Sequence, residues 1–298
     1  MTLTSMRFAV AVAIAASAAF TTGAFAQSRP AIETTKVEGT DNVYVFRNQN
    51  HMAMFVVTPA GVIATDPVAY GKPQGGQQYL DEIRKVTSQP IKYVIYSHHH
   101  FDHIAGGKAF KDVGAKFVAH RRTTERLKAI NDPNTVLPDE SVSDRGRTIK
   151  LGGTTLELSY IGETHSDSML IMRLPKEKIA FLVDWVSAGT FPGRGMTDSQ
   201  PLKWIEGLKR LQKMDFDRFI PGHPGNGGRI TGTKKDVEEL VTLLEDASKT
   251  VQAEARGGKC WDPAEKELQF PKWTKMPGYE NGRHLVVQRF CSLWGRGT

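Results

Sequence analysis

A short histidine-rich segment carries the side chains of this chain that are best suited to chemistry. Residues 97–107 read SHHHFDHIAGG, and four of them stand at the spacing His-x-His-x-Asp-His: His98, His100, Asp102 and His103. Imidazole nitrogens and carboxylate oxygens are the ligands that zinc-like divalent ions take. Four such ligands so close together can surround two neighbouring ions, so the segment predicts a metal centre.

The residues before this segment predict the element that positions it. Ile91 to Tyr96 form an apolar, β-branched and aromatic run, which is typical of a buried strand. The ligands begin where that strand ends, and open α/β sheets place their ligand sites at this edge. Gly106 and Gly107 would let the chain turn tightly into the next helix. For this segment alone, a histidine-rich surface loop is the alternative interpretation.

The segment resembles the signature of the metallo-β-lactamase superfamily of metallohydrolases, whose pattern continues with three separated ligands. His165 follows the strand-like run Thr154 to Tyr160, as the later histidine of the family does. Asp184 directly follows the apolar run Ile179 to Val183, and His223 completes a Pro-Gly-His turn. All the positions that the resemblance requires are therefore occupied, and in the expected order.

The resemblance implies a centre for two zinc ions, although iron or manganese would also suit these ligands. It assigns His98, His100 and His165 to one ion, Asp102, His103 and His223 to the other, and Asp184 to both. A hydroxide bridging the ions would be the nucleophile, and Asp102 is expected to orient it and pass its proton to the leaving group. Asp66 is expected to fix the tautomer of a ligating histidine, although a turn aspartate before Pro67 would also explain it.

The remaining histidines of the chain match no ligand position. His99 lies between two proposed ligands, and on an extended segment its side chain should point away from theirs. His51, His120 and His284 lie elsewhere in the sequence. We therefore predict that these four residues are not part of the metal centre.

The ligand types also indicate the reaction. The position of Asp184 is a cysteine in one well-known group of true β-lactamases and a serine in another, whereas aspartate resembles glyoxalase II and lactonases. The resemblance therefore implies hydrolysis of an ester-like, lactone, thioester or lactam substrate. Three alternatives stay open: a mononuclear iron persulfide dioxygenase-like oxidoreductase, a β-lactamase proper, and a non-enzymatic metal-binding protein that kept the fold.

The sequence does not assign substrate-binding residues, because a metal site of this kind serves many substrates. Two segments are candidates for the rim of the cleft: the loop after Asp184 and the hairpin tip Asn48 to Met52. In that loop, Trp185 and Phe191 would form an apolar wall or would pack in the core.

The amino terminus has the pattern of a secretory signal peptide over residues 1–26. Arg7 precedes the apolar run Phe8 to Phe20, and the triplet Ala24-Phe25-Ala26 precedes Gln27. The run is shorter than the roughly 20 strongly apolar residues of a membrane span, so we favour cleavage over an uncleaved anchor. Residues 27–298 are then expected to be secreted, into the periplasm if the source is bacterial.

The charge of the chain is basic, with a formal value of +7. Loss of residues 1–26 would remove one arginine and no acid, which leaves +6. A basic balance can indicate nucleic acid binding, but here the lysines and arginines are scattered, and export would separate the protein from such partners. We therefore expect a small-molecule substrate and no nucleic acid partner.

The order of the predicted elements suits a four-layered αββα sandwich, the fold that the resemblance implies. Strand-like and helical runs alternate through one domain, residues 27–298, with a C-terminal extension from about residue 258. The extension contains Cys260 and Cys291, which are free to pair in an oxidising compartment. A helical stripe is formed by Val237, Leu240, Val241, Leu244 and Val251, and we expect it to face the core.

Overall fold

Two β-sheets lie at the centre of this computed structural model, which describes residues 30–298. The predicted signal peptide lies outside the described residues. The first sheet has seven strands, ordered as in the chain: β1 (Ile32–Lys36), β2 (Val43–Asn48), β3 (His51–Thr58), β4 (Gly61–Thr65), β5 (Ile91–Ile95), β6 (Lys116–His120) and β7 (Glu140–Val142). The second sheet has six, in the order β13 (Gly232–Thr233), β12 (Arg218–Pro221), β11 (Ile179–Leu182), β10 (Ile171–Leu174), β9 (Thr154–Ser159) and β8 (Arg147–Leu151).

The strand directions bring several carboxyl ends to one edge. Strands β4 to β7 run parallel to one another, as do β11 and β12, and the other neighbouring pairs are antiparallel. Parallel strands end on the same side of a sheet. The loops that follow them therefore gather functional side chains at that side.

The two sheets pack face to face because their strands alternate between two apolar cores. On β2, Val43 and Val45 point into the core between the sheets, whereas Phe46 points into a core on the outer face of the first sheet. This alternation follows from the two-residue period of strand side chains. Leu156 and Ile171 of the second sheet complete the central core.

Helices cover both outer faces, and the predicted αββα architecture is confirmed. The helices of the described residues are α1 (Gly75–Val86), α2 (Phe101–Ile104), α3 (Gly107–Asp112), α4 (Arg121–Ile130), α5 (Pro201–Gln212), α6 (Lys234–Arg256), α7 (Asp262–Glu267) and α8 (Tyr279–Arg296). Apolar residues of α1, α3 and α4 pack on the outer face of the first sheet. Those of α5, α6 and α8 join the core that contains the second sheet.

The local sequence explains both the start and the buried face of helix α6. Thr233 and Asp236 form a capping box, which satisfies free backbone N–H groups at the start of the helix. The stripe that includes Val237, Leu244 and Val251 is buried, as predicted from its helical spacing.

The C-terminal segment packs on this framework. Helix α8 lies against α6, and Cys260 and Cys291 form a disulfide between the segment before α7 and α8. Tyr279, at the start of α8, packs edge-on against Phe191, which belongs to the loop after β11. The final helix extends almost to the end of the chain, to Arg296.

Other differences from the predicted elements occur mainly at edges. Strand β1 is not predicted by its own pattern, because it is a polar, partly exposed edge strand with the sequence IETTK. The turn at Gly106 has an ordinary negative φ, so the need for glycine there is not conformational. A Cβ at Gly106 would lie 2.5 Å from the carbonyl oxygen of Pro67 and 2.8 Å from Gly76 Cα, so close packing excludes a side chain. Among residues 30–298, no helix is long and apolar enough to cross a membrane.

Candidate metal centre

The predicted ligands come together from loops at the ends of four strands. The segment after β5 brings His98 and His100, and the short helix α2 that follows carries Asp102 and His103. The other three ligands each follow a strand of the second sheet: His165 after β9, Asp184 after β11 and His223 after β12. The two sheets thus contribute to one centre at a common edge.

The first group of ligands consists of His98, His100, His165 and Asp184. One nitrogen or oxygen atom from each lies within 4.8 Å of the others. His165 Nε2 is 3.0 Å from His100 Nδ1, and Asp184 Oδ2 is 3.5 Å from His165 Nε2 and 3.6 Å from His98 Nε2. Three imidazoles and a carboxylate therefore converge on one point.

The second group consists of Asp102, His103, His223 and again Asp184, with the same mutual spacing. Asp184 Oδ2 is 3.0 Å from His103 Nε2, and Asp184 Oδ1 is 3.1 Å from His223 Nε2. Asp102 Oδ2 lies 3.4 Å from His103 Nε2. The carboxylate of Asp184 is thus common to both groups, which is the arrangement expected of a ligand between two ions.

The hydrogen bonds on the far sides of two imidazoles show why these groups fit a cation. His165 Nδ1 donates to the carbonyl oxygen of Gly195 at 2.9 Å, and His100 Nε2 donates to Asp198 Oδ2 at 3.0 Å. In the neutral rings, the remaining nitrogens, His165 Nε2 and His100 Nδ1, then carry lone pairs. Two lone pairs 3.0 Å apart repel each other, and a cation bound by both removes the repulsion.

Buried polar atoms support the same conclusion. Among residues 30–298, His98 Nε2, His103 Nε2 and Asp184 Oδ1 are buried without a hydrogen bond of acceptable geometry. Burial of such atoms without a partner is costly. All three atoms face the two groups of ligands, so the residues present fit divalent metal ions at both positions.

The electrostatics of the site also favour a bound positive charge. Burial lowers the pKa of His98 well below its usual range, and the charges of nearby histidines add to this effect, so the ring is neutral. Burial opposes ionisation of Asp184, but the positive charges of His103 and His223 outweigh it and hold its pKa well below the usual range. Burial also disfavours the charged form of His103, yet Asp184 and Asp102 raise its pKa to about 9. A positive charge is therefore favoured at the position of the second ion.

Outer partners orient most of the ligating rings. Ser97 Oγ lies 2.8 Å from His98 Nδ1, and His223 Nδ1 donates to the carbonyl oxygen of Asn50 at 2.5 Å. Such contacts fix the ring tautomer and direct the other nitrogen toward the metal.

Asp66 lies beside the histidine-rich segment, in a position that suits an orienting carboxylate. Its Oδ1 accepts a hydrogen bond from the backbone N–H of Ser97 at 2.7 Å, and its Oδ2 lies 3.8 Å from His103 Nδ1. Burial raises the pKa of this carboxyl group to about 7, against the opposing charge of His103. Asp66 thus links the end of β4 to two neighbours in the histidine-rich segment.

His51 belongs to neither group of ligands, but it contacts one of the ligands from outside. His51 is 9% exposed, and its Nε2 lies 3.2 Å from Asp102 Oδ2. His51 lies on the predicted hairpin tip, but it matches no ligand position in the family pattern. A residue that contacts a ligand from outside has no spacing signal of its own.

Asp198 was missed for the same reason. Its contact with His100 spans two distant loops, and no periodicity relates the two residues. His99, by contrast, points away from the ligands, and its Nδ1 lies 3.0 Å from Ser168 Oγ. His120 contacts Asp144 and Tyr160, and His284 is exposed on α8, so both lie outside the metal centre.

A cleft of 840 Å³ opens above the centre. Phe191 lines it, together with the exposed side chains of Tyr70 and Ile130. Trp185 does not line it, because its side chain is 1% exposed and packs in the core against α5, which is the second of the two alternatives predicted for it. Asn50 and His51 place the predicted hairpin tip at the cleft.

A double-sheet αββα fold with a His/Asp centre of this kind defines the class of metal-dependent hydrolases and related enzymes. The sequence model of the metallo-beta-lactamase superfamily matches residues 56–223, which is more than half of the chain. The chain belongs to this superfamily.

Individual relatives are distant. The chain is 26% identical over 196 residues to 2,4-dinitroanisole O-demethylase subunit alpha of Nocardioides sp. (strain JS1661), covering 65% of this chain and 58% of that subunit. It is 24% identical over 214 residues to metallo-beta-lactamase type 2 of Elizabethkingia meningoseptica, covering 67% and 82%. The solved structure of a metallo-beta-lactamase from Pontibacter korlensis superposes with a TM-score of 0.63 at 21% identity, covering 72% and 99%, and this likeness shows the fold.

Membership and geometry together support a metal-dependent hydrolase in general, with a site for divalent metal. The match covers little more than half of the demethylase subunit, so these relatives do not assign a substrate to this chain.

Proposed function

We propose that this protein is an exported hydrolase that holds two zinc ions and cleaves a small ester-like, lactone or thioester substrate. The observation that carries the proposal is the carboxylate of Asp184, which lies within 3.6 Å of ligand nitrogens in both groups. One shared carboxylate with three further ligands on each side suits a pair of ions. Such a pair lowers the pKa of water to near 7 and polarises the scissile bond.

The residues of the chain divide the remaining work. His98, His100 and His165 would hold one ion, and His103 and His223 would hold the other with Asp102. Of the two carboxylates in the second group, Asp102 is the more open to the cleft, with a side chain 33% exposed against 8% for Asp184. Burial raises its pKa, but the hydrogen bond from His51 and the charge of His103 outweigh burial and lower it to about 2. We assign Asp102 to orienting the attacking water and passing its proton to the leaving group.

The ligand at position 184 bears on the substrate class. The resemblance described above associates aspartate there with hydrolases of thioesters and lactones, and cysteine or serine with true β-lactamases. The relative from Elizabethkingia meningoseptica is named a β-lactamase, so lactams belong in any substrate panel.

Export is supported by two features of the chain. Residues 1–26 have the pattern of a signal peptide. The disulfide between Cys260 and Cys291 is a bond that persists in oxidising compartments.

The test is metal content and turnover measured on the same preparation. The mature protein is purified without added metal, its metals are counted by mass spectrometry, and hydrolysis is followed with chromogenic lactone, thioester, aryl ester and cephalosporin substrates. Near two zinc ions per chain with turnover of a lactone, thioester or ester supports the proposal. One iron per chain with oxygen uptake on a persulfide, or turnover of the cephalosporin alone, contradicts it.

The Asp102→Asn variant, assayed with the same substrates, tests the role assigned to Asp102. Asparagine keeps the size of the side chain but cannot carry the proton. If Asp102 has the assigned role, the variant loses turnover under conditions of metal excess in which both ions are still bound.

A further inference from the structure

A chain of three polar side chains runs outward from the second group of ligands. Asp102 Oδ2 lies 3.2 Å from His51 Nε2, and His51 Nδ1 lies 2.9 Å from Lys72 Nζ. His51 is almost fully buried, and Lys72 is partly buried. The family pattern assigns no role to His51 or Lys72.

The chemistry of the two ends determines the tautomer of the ring between them. A lysine ammonium group can only donate hydrogen bonds, so His51 Nδ1 must accept. The proton of the neutral ring is then on Nε2, where it is donated to the carboxylate of Asp102. A doubly protonated ring would place an N–H group against the ammonium group, which this contact excludes. Neither nitrogen has a lone pair left for a metal, so His51 is not a ligand.

The backbone around His51 is tied to the same group of ligands. The carbonyl oxygen of Asn50 accepts from His223 Nδ1, and the N–H of Met52 donates to the carbonyl oxygen of Gly222 at 2.7 Å. The turn between β2 and β3 therefore contacts both Asp102 and His223 from outside.

The carboxylate of Asp102 needs a hydrogen bond such as the one from His51 to hold one orientation. The terminal torsion of aspartate is broad and roughly two-fold, so packing alone does not select the oxygen that faces a metal. Asp102 lies on a helix of only four residues at the mouth of the cleft, where solvent competes for its oxygens.

We propose that His51, with its tautomer set by Lys72, is a positioning residue that orients Asp102 toward the second metal. The proposal rests on the two-metal centre of the proposed function. It deepens that function by assigning two residues that act through a ligand rather than on substrate.

The test is stepwise metal affinity, measured by titrating the metal-free protein with Co²⁺ and following the absorption of the bound metal. We expect His51→Ala to weaken the binding of the second ion by roughly 10–100-fold, the range known for loss of an outer partner. The first ion is bound by His98, His100 and His165 and should keep its affinity. His284→Ala, which removes an exposed histidine on α8, is the matched control and should change neither step.

A double-mutant cycle separates positioning from general packing. Glutamine at position 51 can donate to Asp102 through its amide without any tautomer, so His51→Gln should restore most of the second-ion affinity. Lys72→Met should lower the affinity for the second ion when position 51 is histidine, and it should leave that affinity unchanged in the His51→Gln background. Equal effects of Lys72→Met in both backgrounds would overturn the role given to Lys72.

Nitrogen-15 NMR of the zinc-loaded protein provides an independent readout. We expect the His51 ring to carry its proton on Nε2 alone, and a proton on Nδ1 would overturn the proposal. If the wild-type protein binds fewer than two Co²⁺ ions, the proposed function fails. If it binds two and His51→Ala also binds both with unchanged affinity, only the positioning role fails.

Discussion

At the scale of single residues, the centre is organised around one buried carboxylate. Asp184 has a left-handed φ of 66°, a conformation that is uncommon for residues other than glycine. It faces three imidazole nitrogens within 3.1–3.6 Å that belong to His98, His165 and His223, and a fourth, on His103, at 3.0 Å. Strained backbone of this kind persists where surrounding structure holds it, and it is common at functional sites.

The first prediction concerns this carboxylate. Asp184→Asn keeps the shape but removes the negative charge shared by both groups of ligands. We expect loss of both ions at micromolar metal and a fall in kcat/KM of more than about 100-fold. Mutation of a residue that only contacts a ligand from outside already lowers metal affinity or activity by about 10–100-fold, and Asp184 is itself a proposed ligand. Metal counting by mass spectrometry checks it. Asp112→Asn, at an exposed pair with Lys108, is the control. Two retained ions in Asp184→Asn would contradict the prediction.

The second prediction concerns pH and His103. In the metal-free protein the pKa of His103 is raised from 6.5 to about 9, so the charged ring contributes stability that is complete below about pH 6.5 and is lost as the pH rises through about 9. Metal binding must displace this proton. We therefore expect the affinity for the second ion to increase as the pH is raised from about 6.5 to about 9. Calorimetry in buffers of different ionisation enthalpy should detect the released proton, and an affinity independent of pH over this window would argue against the assignment.

At the scale of elements, short turns after strands place the ligands. A Cβ at Gly222 would lie 2.6 Å from Val183 Cγ1 and 2.8 Å from Asp184 Oδ1, so the Pro-Gly-His turn has no room for a side chain. The turn lets β12 deliver His223 directly beside the end of β11. Glycine is required there by the approach of two neighbouring strand ends.

The third prediction follows from this packing. Gly222→Ala should displace His223 or Asp184 and so lower the affinity for the second ion by at least about 10-fold. Overpacking by the added methyl group should also lower the free energy of unfolding by about 1–3 kcal/mol. Cobalt titration and thermal unfolding measure the two effects. Gly257→Ala is the control, since a Cβ there meets only carbonyl oxygens at 3.4 Å or more. Wild-type affinity in Gly222→Ala would show that the turn can relax.

Helix α8 supports the wall of the cleft from behind. Gly282 packs against Pro192, Tyr279 packs against Phe191, and Arg289 Nε donates to the carbonyl oxygen of Ser199 at 2.7 Å. The loop between these contacts contains Gly195 and Asp198, which contact the rings of the candidate ligands His165 and His100. The disulfide joins α8 to the segment before α7 and so stabilises this support.

The fourth prediction tests that support. Replacing both Cys260 and Cys291 by alanine opens a loop with a sequence separation of 31. Chain entropy for a loop of that length predicts a loss of about 3–4 kcal/mol in the free energy of unfolding. Denaturant unfolding measures the loss, and reduced wild-type protein should show a loss of similar size. If the free energy of unfolding changes by less than about 1 kcal/mol in both the double variant and the reduced wild-type protein, packing of α8 on α6 holds the helix in place without the disulfide.

At the scale of the whole molecule, the chain combines a candidate metal centre with the sequence pattern of a signal peptide, on which the proposal of export rests. The fifth prediction is that expression of the full chain in a bacterium gives a periplasmic product that begins at Gln27. Replacing Ala24 and Ala26 by tryptophan should block cleavage, because signal peptidase requires small residues at these positions. Intact mass and cell fractionation check both points. A cytoplasmic product that retains residues 1–26 would contradict export.

Much of the molecule was predictable because its signals are local. The run Ile91 to Tyr96 and the stripe on α6 show their period within a few residues, and the ligands have side chains with a single obvious chemistry. Edge strand β1 was not predictable in the same way, since a polar strand is stabilised by its pairing with β2 rather than by its own pattern.

The sequence by itself predicted the fold class and the seven candidate ligands: the spacing of residues 98–103 indicates four of them over a short distance, and the resemblance to the superfamily implies His165, Asp184 and His223. Only the tertiary structure decided which side chains stand behind those ligands. His51 and Asp198 reach the centre from loops far apart in the chain, and Trp185 turns into the core although it directly follows Asp184. The physical reason is that a long-range contact depends on where two elements meet in space, and no local pattern of residues records that meeting.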